Sequence, residues 1–207
     1  MYKVISTGSK GNAILYFGSI LVDCGVPYSL LEPYLYDIQI VLLSHIHSDH
    51  FNQSTIRRLV SERPTLRFGC GPWMVEHLEG IRNVDVFGFG QVYDYGAFRV
   101  SPVKLYHDVP NMGYRLYKDG KRIFHATDSA HLNGISAKGY DLYCIESNYD
   151  QETIDETIAA LEARGEYAYQ KGAMNSHLSE QQARDWIYRN RGPNSQVLRL
   201  HETSIIH

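Results

Sequence analysis

A chain of 207 residues, 43% hydrophobic and 21% charged, has a globular composition and the length of a single domain spanning 1–207. A formal net charge of −3 excludes a protein that coats nucleic acid by bulk electrostatics, while leaving room for one that grips phosphates locally. No apolar run approaches the roughly 18–20 residues of a membrane span, and Met1-Tyr2-Lys3-Val4-Ile5 is not a secretory signal. The expectation is a cytoplasmic protein without a membrane partner, in which Cys24, Cys70 and Cys144 serve as small hydrophobes.

Along the chain, Lys3–Ser6, Ala13–Phe17 and Ile20–Asp23 are short β-rich runs broken by Gly8-Ser9-Lys10-Gly11-Asn12 and Gly18-Ser19. The glycine-bearing loop Gly8–Asn12 reads either as a nest of backbone N–H groups for a phosphate or as a tight turn. Ile38–Leu43 is a continuous apolar run, the pattern of a strand buried on both faces. Ile56, Leu59 and Val60 at i, i+3, i+4 predict a helix over Gln53–Glu62. A strand-like stretch covers Ala97–Leu105. Arg115–Tyr117 and Arg122–Ala126 flank Asp119-Gly120, a hairpin signal. Leu142–Ile145 is a second buried-strand run. Ile154, Ile158 and Leu161 mark a helix closed by Gly165, and Ala183, Trp186 and Ile187 mark another, opened by Ser179-Glu180-Gln181-Gln182 in capping-box form. A strand at about Val197–Leu200 completes the series. Strand runs with helices between them predict a layered α/β fold with mixed sheets, its two halves related in plan.

Ten histidines are many for this length. Four potential metal ligands fall within six residues, His45, His47, Asp49 and His50, directly after the buried run Ile38–Leu43. Alternation at a strand end would put His45 and His47 on one side, while Asp49 and His50, where the chain turns toward the next helix, could aim at a second ion. Imidazole with carboxylate suits zinc, with manganese or iron as alternatives. Further ligands are available at other strand ends: His107 after Ala97–Leu105, Asp128 after Arg122–Ala126, and His201 after Val197–Leu200.

His45-x-His47-x-Asp49-His50 followed by His107, Asp128 and His201 resembles the metallo-β-lactamase superfamily, and implies an αββα sandwich of two mixed β-sheets flanked by helices. By that resemblance His45, His47 and His107 hold one divalent ion, Asp49, His50 and His201 the other, and Asp128 bridges them. The chain is most similar to the YycJ/WalJ-like branch, relatives of RNase Z and RNase J. Carrying that likeness are Ser6–Asn12, Leu21-Val22-Asp23-Cys24-Gly25, His107-Asp108-Val109-Pro110-Asn111-Met112-Gly113-Tyr114, Glu146-Ser147-Asn148-Tyr149-Asp150 and Ser176-His177-Leu178-Ser179. It departs from the branch at Tyr149, where histidine is usual, and at His201-Glu202-Thr203, where His-Leu-Ser is usual.

The resemblance implies a dinuclear metal-dependent phosphodiesterase holding two divalent ions, zinc first and manganese second, with nucleic acid or a nucleotide phosphodiester as partner. Asp49, Asp128 and His177 are the catalytic candidates. His177 would hand a proton to the leaving oxygen, the alternative being a surface histidine beside a helix. Asn148 and Tyr149 are candidates for substrate contact, with packing an equal reading for Tyr149. Asp23 reads as an acceptor that fixes a group of the ligand loop. A nuclease acting on DNA or RNA leads. A cyclic-nucleotide phosphodiesterase follows, then a thioester or β-lactam hydrolase, and last a metal-binding structural module. Lys10, Arg57, Arg58, Arg63, Lys104 and Arg115 could furnish a basic groove for a nucleic acid, and a homo-oligomer stays open.

Overall fold

A computed structural model describes residues 1–165 and 170–200. The chain divides into two compact units, 1–91 and 92–207.

The first unit is built on a six-stranded sheet of β1 (Tyr2–Ser6), β2 (Ala13–Tyr16), β3 (Ile20–Val22), β4 (Ile40–Leu42), β5 (Arg67–Cys70) and β6 (Val84–Val86), in that spatial order. β1, β2 and β3 run antiparallel, and β3 to β6 run parallel. Parallel neighbours need crossovers. These are supplied by α1 (Tyr28–Leu31) with a 3-10 turn at Glu32–Tyr34, by α2 (Gln53–Glu62), and by a 3-10 segment at Pro72–Leu78. The helix predicted over Gln53–Glu62 has those bounds. Asn52 caps it, its side chain accepting from the Thr55 amide at 3.1 Å, and Ile56 and Leu59 are buried. Burial of each such side chain contributes roughly 1.5–3 kcal/mol. They join Leu15, Leu21, Val41 and Phe68 in one apolar cluster. Ile20, Val22, Ile40 and Leu42, on the opposite face of the strands, are equally buried, which is why Ile38–Leu43 is apolar without alternation.

The second unit repeats the plan. β7 (Tyr93–Asp94), β8 (Arg99–Tyr106), β9 (Pro110–Lys118) and β10 (Lys121–Ala126) are antiparallel, and β10, β11 (Leu142–Glu146) and β12 (Gln196–Leu200) are parallel, giving the order β12-β11-β10-β9-β8-β7. β9 and β10 form the predicted hairpin. Lys118 pairs with Lys121, and Asp119 and Gly120 both hold positive φ, 51° and 71°, the backbone a two-residue turn of this twist requires. The helical segments are α3 (Ile154–Ala163), α4 (Gln170–Ser176) and α5 (Glu180–Asn190). α5 opens on the predicted capping box, Ser179 accepting from the Gln182 amide and Gln182 from that of Ser179. From its buried side Trp186 stacks on Phe124 with ring centroids 5.0 Å apart, in a cluster with Tyr143, Ile145 and Ala183.

Both sheets are mixed, as the sequence predicts. The strand ahead of the histidine cluster is shorter than expected, Ile40–Leu42 in place of Ile38–Leu43. The three cysteines are buried thiols outside any disulfide. No helix among the described residues is long and apolar enough to cross a membrane.

Candidate metal centre

In the first unit, His45, His47, Asp49 and His50 follow β4 in an irregular turn. Because β4 stops at Leu42, strand alternation does not govern their directions; hydrogen bonds do. The rings gather all the same: His45 lies 4.8 Å from His47 and 4.2 Å from His50, centroid to centroid. Asp23, at the end of β3, holds the turn. Its Oδ1 accepts from the Ser44 amide at 2.9 Å, and its Oδ2 accepts from His50 Nδ1 at 2.7 Å. A carboxylate acceptor fixes the proton on Nδ1 and puts the lone pair on Nε2, as a metal-ligating imidazole needs. Ser44 Oγ lies 2.9 Å from His45 Nδ1 and engages that nitrogen as donor or acceptor. Asp23 thus takes the acceptor role read from the sequence.

The loop Gly8–Asn12 closes on this turn. Its amides are used inside the protein: Gly8 N–H donates to Asn12 Oδ1, Gly11 N–H to the Gly8 carbonyl, and Asn12 N–H to the Asp49 carbonyl at 2.6 Å. The amides of Gly8, Gly11 and Asn12 are thereby engaged within a tight turn. The Asn12 amide also reaches the Asp49 carbonyl at 3.1 Å and His50 Nε2 at 2.9 Å. Gly25 passes so close beneath that a Cβ there would stand 1.8 Å from the Asp49 carbonyl oxygen.

In the second unit, His107 lies just past β8, Asp128 two residues past β10, and Glu146 at the end of β11. His107 Nδ1 donates to the Ser176 carbonyl at 2.9 Å, and its Nε2 lies 3.0 Å from Asp108 Oδ1. Asp128 holds a left-handed backbone, φ 53°, uncommon for a residue with a side chain. Asn111 sustains it by donating to the carbonyls of Thr127 at 3.0 Å and Asp128 at 2.6 Å, and Thr127 Oγ donates to Asp128 Oδ1 at 3.0 Å.

Glu146 is the functional residue that the sequence reading left inside a motif without a role. It is fully buried, and its Oε1 accepts from the amides of Ser129 at 2.7 Å and Leu178 at 3.3 Å. Its Oε2 lies 2.9 Å from His177 Nδ1, whose distance to Asp128 Oδ1 is 3.6 Å. Burial, helped by the Asp128 charge, pushes the Glu146 carboxyl up to about 7, against the hydrogen bond and charge of His177, which pull it down. Burial acts to lower His177. The hydrogen bond His177 donates to Glu146 and the charges of Glu146, Asp128 and Asp108 outweigh it and raise the imidazole above its ordinary value. The signal in the sequence was a lone acid ending an otherwise apolar buried run, Leu142–Ile145.

His177 stands between α4 and the cap of α5, where a loop was expected. Tyr149 is buried against Ile154 and Ile158, while Asn148 is half-buried with its backbone amide donating to the Leu178 carbonyl at 3.0 Å. His201 lies outside the described residues. Among the basic residues named for a groove, four have structural duties. Arg57 donates to the Glu79 carbonyl, Arg58 pairs with Glu62, Arg63 donates to the carbonyls of Leu35 and Ile38, and Arg115 to that of Ser136.

Each unit therefore presents imidazoles whose Nδ1 is spoken for, beside carboxylates, at the C-terminal ends of sheet strands. That donor set fits divalent metal ions. The two mixed sheets with flanking helices are those of the metallo-β-lactamase fold. A metallo-β-lactamase-fold protein, YhfI from Bacillus subtilis, is similar with a TM-score of 0.74 and 17% identity over 97% of this chain and 84% of that one. Human tRNase Z, short form, gives 0.66 and 17% over 97% and 91%, and a diphosphatase from the PhnP family 0.66 and 13% over 97% and 85%. No curated protein matches the sequence. A family model described as a beta-lactamase superfamily domain matches residues 19–189, and the chain belongs to that superfamily of metal-dependent hydrolases.

Proposed function

We propose that this protein hydrolyses phosphodiesters with two divalent metal ions, zinc or manganese, and that a nucleic acid is its leading substrate class. The ligand set is His45, His47 and His107 for one ion, Asp49, His50 and His201 for the other, with Asp128 bridging. On this reading the two units work as one catalytic domain, which a family match running across both supports. The observation that carries the reaction class is His177, held by Glu146 at 2.9 Å and beside Asp128.

Metal ions bound there would supply hydroxide near neutral pH and neutralise charge developing on the phosphoryl oxygens. The remaining work falls to the protein. Glu146 accepts from His177 Nδ1, fixing the ring and favouring its protonated form, which leaves Nε2–H as the proton to donate. An alkoxide leaves poorly without a proton. Thioester and β-lactam hydrolysis have less need of such a donor. The human tRNase Z and the PhnP-family diphosphatase, both phosphate-linked by name, are similar in fold and agree with this choice.

A cyclic nucleotide is the second reading, favoured by the structural duties of Arg57, Arg58, Arg63 and Arg115, which deplete the basic groove expected for a long strand. The test is a panel of bis(p-nitrophenyl) phosphate, cyclic nucleotides, single- and double-stranded DNA, RNA and nitrocefin, assayed with Mn²⁺ or Zn²⁺. Cleavage of phosphodiesters but not nitrocefin is expected. Nitrocefin turnover alone would reject the proposal.

A further inference from the structure

A groove of about 570 Å³ runs between α5 and β12, lined among the described residues by Arg184, Ile187, Tyr188, Arg191, Val197, Leu198 and Arg199. Among the described residues, three guanidinium groups line it and no carboxylate does. Arg184, Tyr188 and Arg191 fall at i, i+4 and i+7, one face of α5, and β12 is the edge strand of its sheet. Most other arginines of the chain serve structure, like the four above and Arg67 on Asp85 or Arg122 on the Gly139 carbonyl. The three in the groove are exposed. Arg184 makes a loose contact with Asp185, 3.9 Å between two exposed groups, and its charge also reaches Asp150. Tyr188 is 80% exposed, a large aromatic surface presented at the groove.

The groove also has a direction. Its inner end is near the chemistry: Ser179 caps α5 two residues after His177, and Leu200 pairs with Glu146. At about 1.5 Å per residue, Arg184 stands roughly 7 Å and Arg191 roughly 18 Å along the helix from that cap. We propose that this groove is a track for a nucleic-acid strand, with Arg184, Arg191 and Arg199 on successive phosphates and Tyr188 as a platform for a base. Guanidinium groups match phosphate geometry, and an exposed aromatic between them suits base stacking regardless of sequence. A second copy of the chain fits less well, since pairing through β12 about a twofold axis would bring the arginines of both copies together. The inference rests on the phosphodiesterase reading and selects its nucleic-acid branch.

The test is fluorescence anisotropy of a labelled 15-nucleotide single-stranded RNA and DNA on the full chain, as a function of salt. The Arg184→Ala/Arg191→Ala/Arg199→Ala variant should lose at least about tenfold in affinity. Its log–log salt slope should fall by about two, the share of three phosphates on a single strand. Tyr188→Ala should weaken binding about fivefold to a hundredfold and Tyr188→Phe should restore it. Unchanged thermal unfolding midpoints establish that the variants are folded. Equal oligonucleotide binding by wild type and the triple variant would overturn the proposal, as would equally tight, arginine-dependent binding of a polyglutamate peptide. Hydrolysis of bis(p-nitrophenyl) phosphate by the wild-type protein tests the underlying reading separately. Activity there without oligonucleotide binding rejects the groove alone, and binding without any phosphodiester hydrolysis rejects the reading alone.

Discussion

At the scale of single residues, the account turns on what a carboxylate or imidazole can do that its nearest neutral or truncated substitute cannot. Asp128→Asn should abolish phosphodiester cleavage and weaken both metal sites, because an amide is a poor bridge between two cations; metal content and turnover measured together check this. His177→Ala should lower cleavage of DNA, RNA or a cyclic nucleotide about 10²–10⁴-fold while leaving the metals in place. Bis(p-nitrophenyl) phosphate should suffer far less, since p-nitrophenolate departs without a proton. Equal losses on both kinds of substrate would assign His177 to positioning. Asp23→Asn removes the charged acceptor behind His50 and should weaken metal binding about 10–100-fold, read by titration against a competing chelator. The ligand cluster itself was legible in the sequence: four potential ligands in six residues after a buried run admit few other readings. Glu146 was less so. Its partners Ser129, Leu178 and His177 lie 17 to 32 residues away, and a single acid at the end of an apolar strand does not name what it will meet. Tyr149 shows the reverse. Its place among Ile154 and Ile158 depends on α3 folding back over it, which a tyrosine in a motif does not announce.

At the scale of elements, local chemistry predicted what local chemistry determines. The apolar stripe of α2 and the capping box of α5 place both helices because cap and periodicity agree. The Asp119-Gly120 hairpin follows from two residues that tolerate positive φ. β5, β6 and β7 escaped notice: they are two to four residues long, and their pairing partners, not their own alternation, make them strands. β4 ended earlier than its apolar run because Leu43 and Ser44 already belong to the turn that Asp23 holds. That turn is also where backbone contact is closest. Gly25→Ala would drive a methyl into the Asp49 carbonyl, so the ligand turn must shift. A fall in Tm of about 4–8 °C, for roughly 2 kcal/mol, is expected together with weaker metal retention. An unchanged Tm with full metal content would mean the turn relaxes without consequence for the ligands.

At the scale of the whole molecule, each unit contributes a mixed sheet whose strand ends carry candidate ligands, and the family match spans both. The repeated plan was visible in the sequence only as two series of strand runs and helices, without the antiparallel and parallel pairings or the order of strands within each sheet. That order depends on pairings across long sequence separations, which periodicity does not encode. The central claim is that the assembled molecule holds two divalent ions per chain through His45, His47, Asp49, His50, His107, Asp128 and His201. Elemental analysis of protein purified without chelator, with reconstitution in Zn²⁺ or Mn²⁺ where needed, tests it most directly. Two ions per chain are predicted, and no bound metal even after reconstitution would contradict the account.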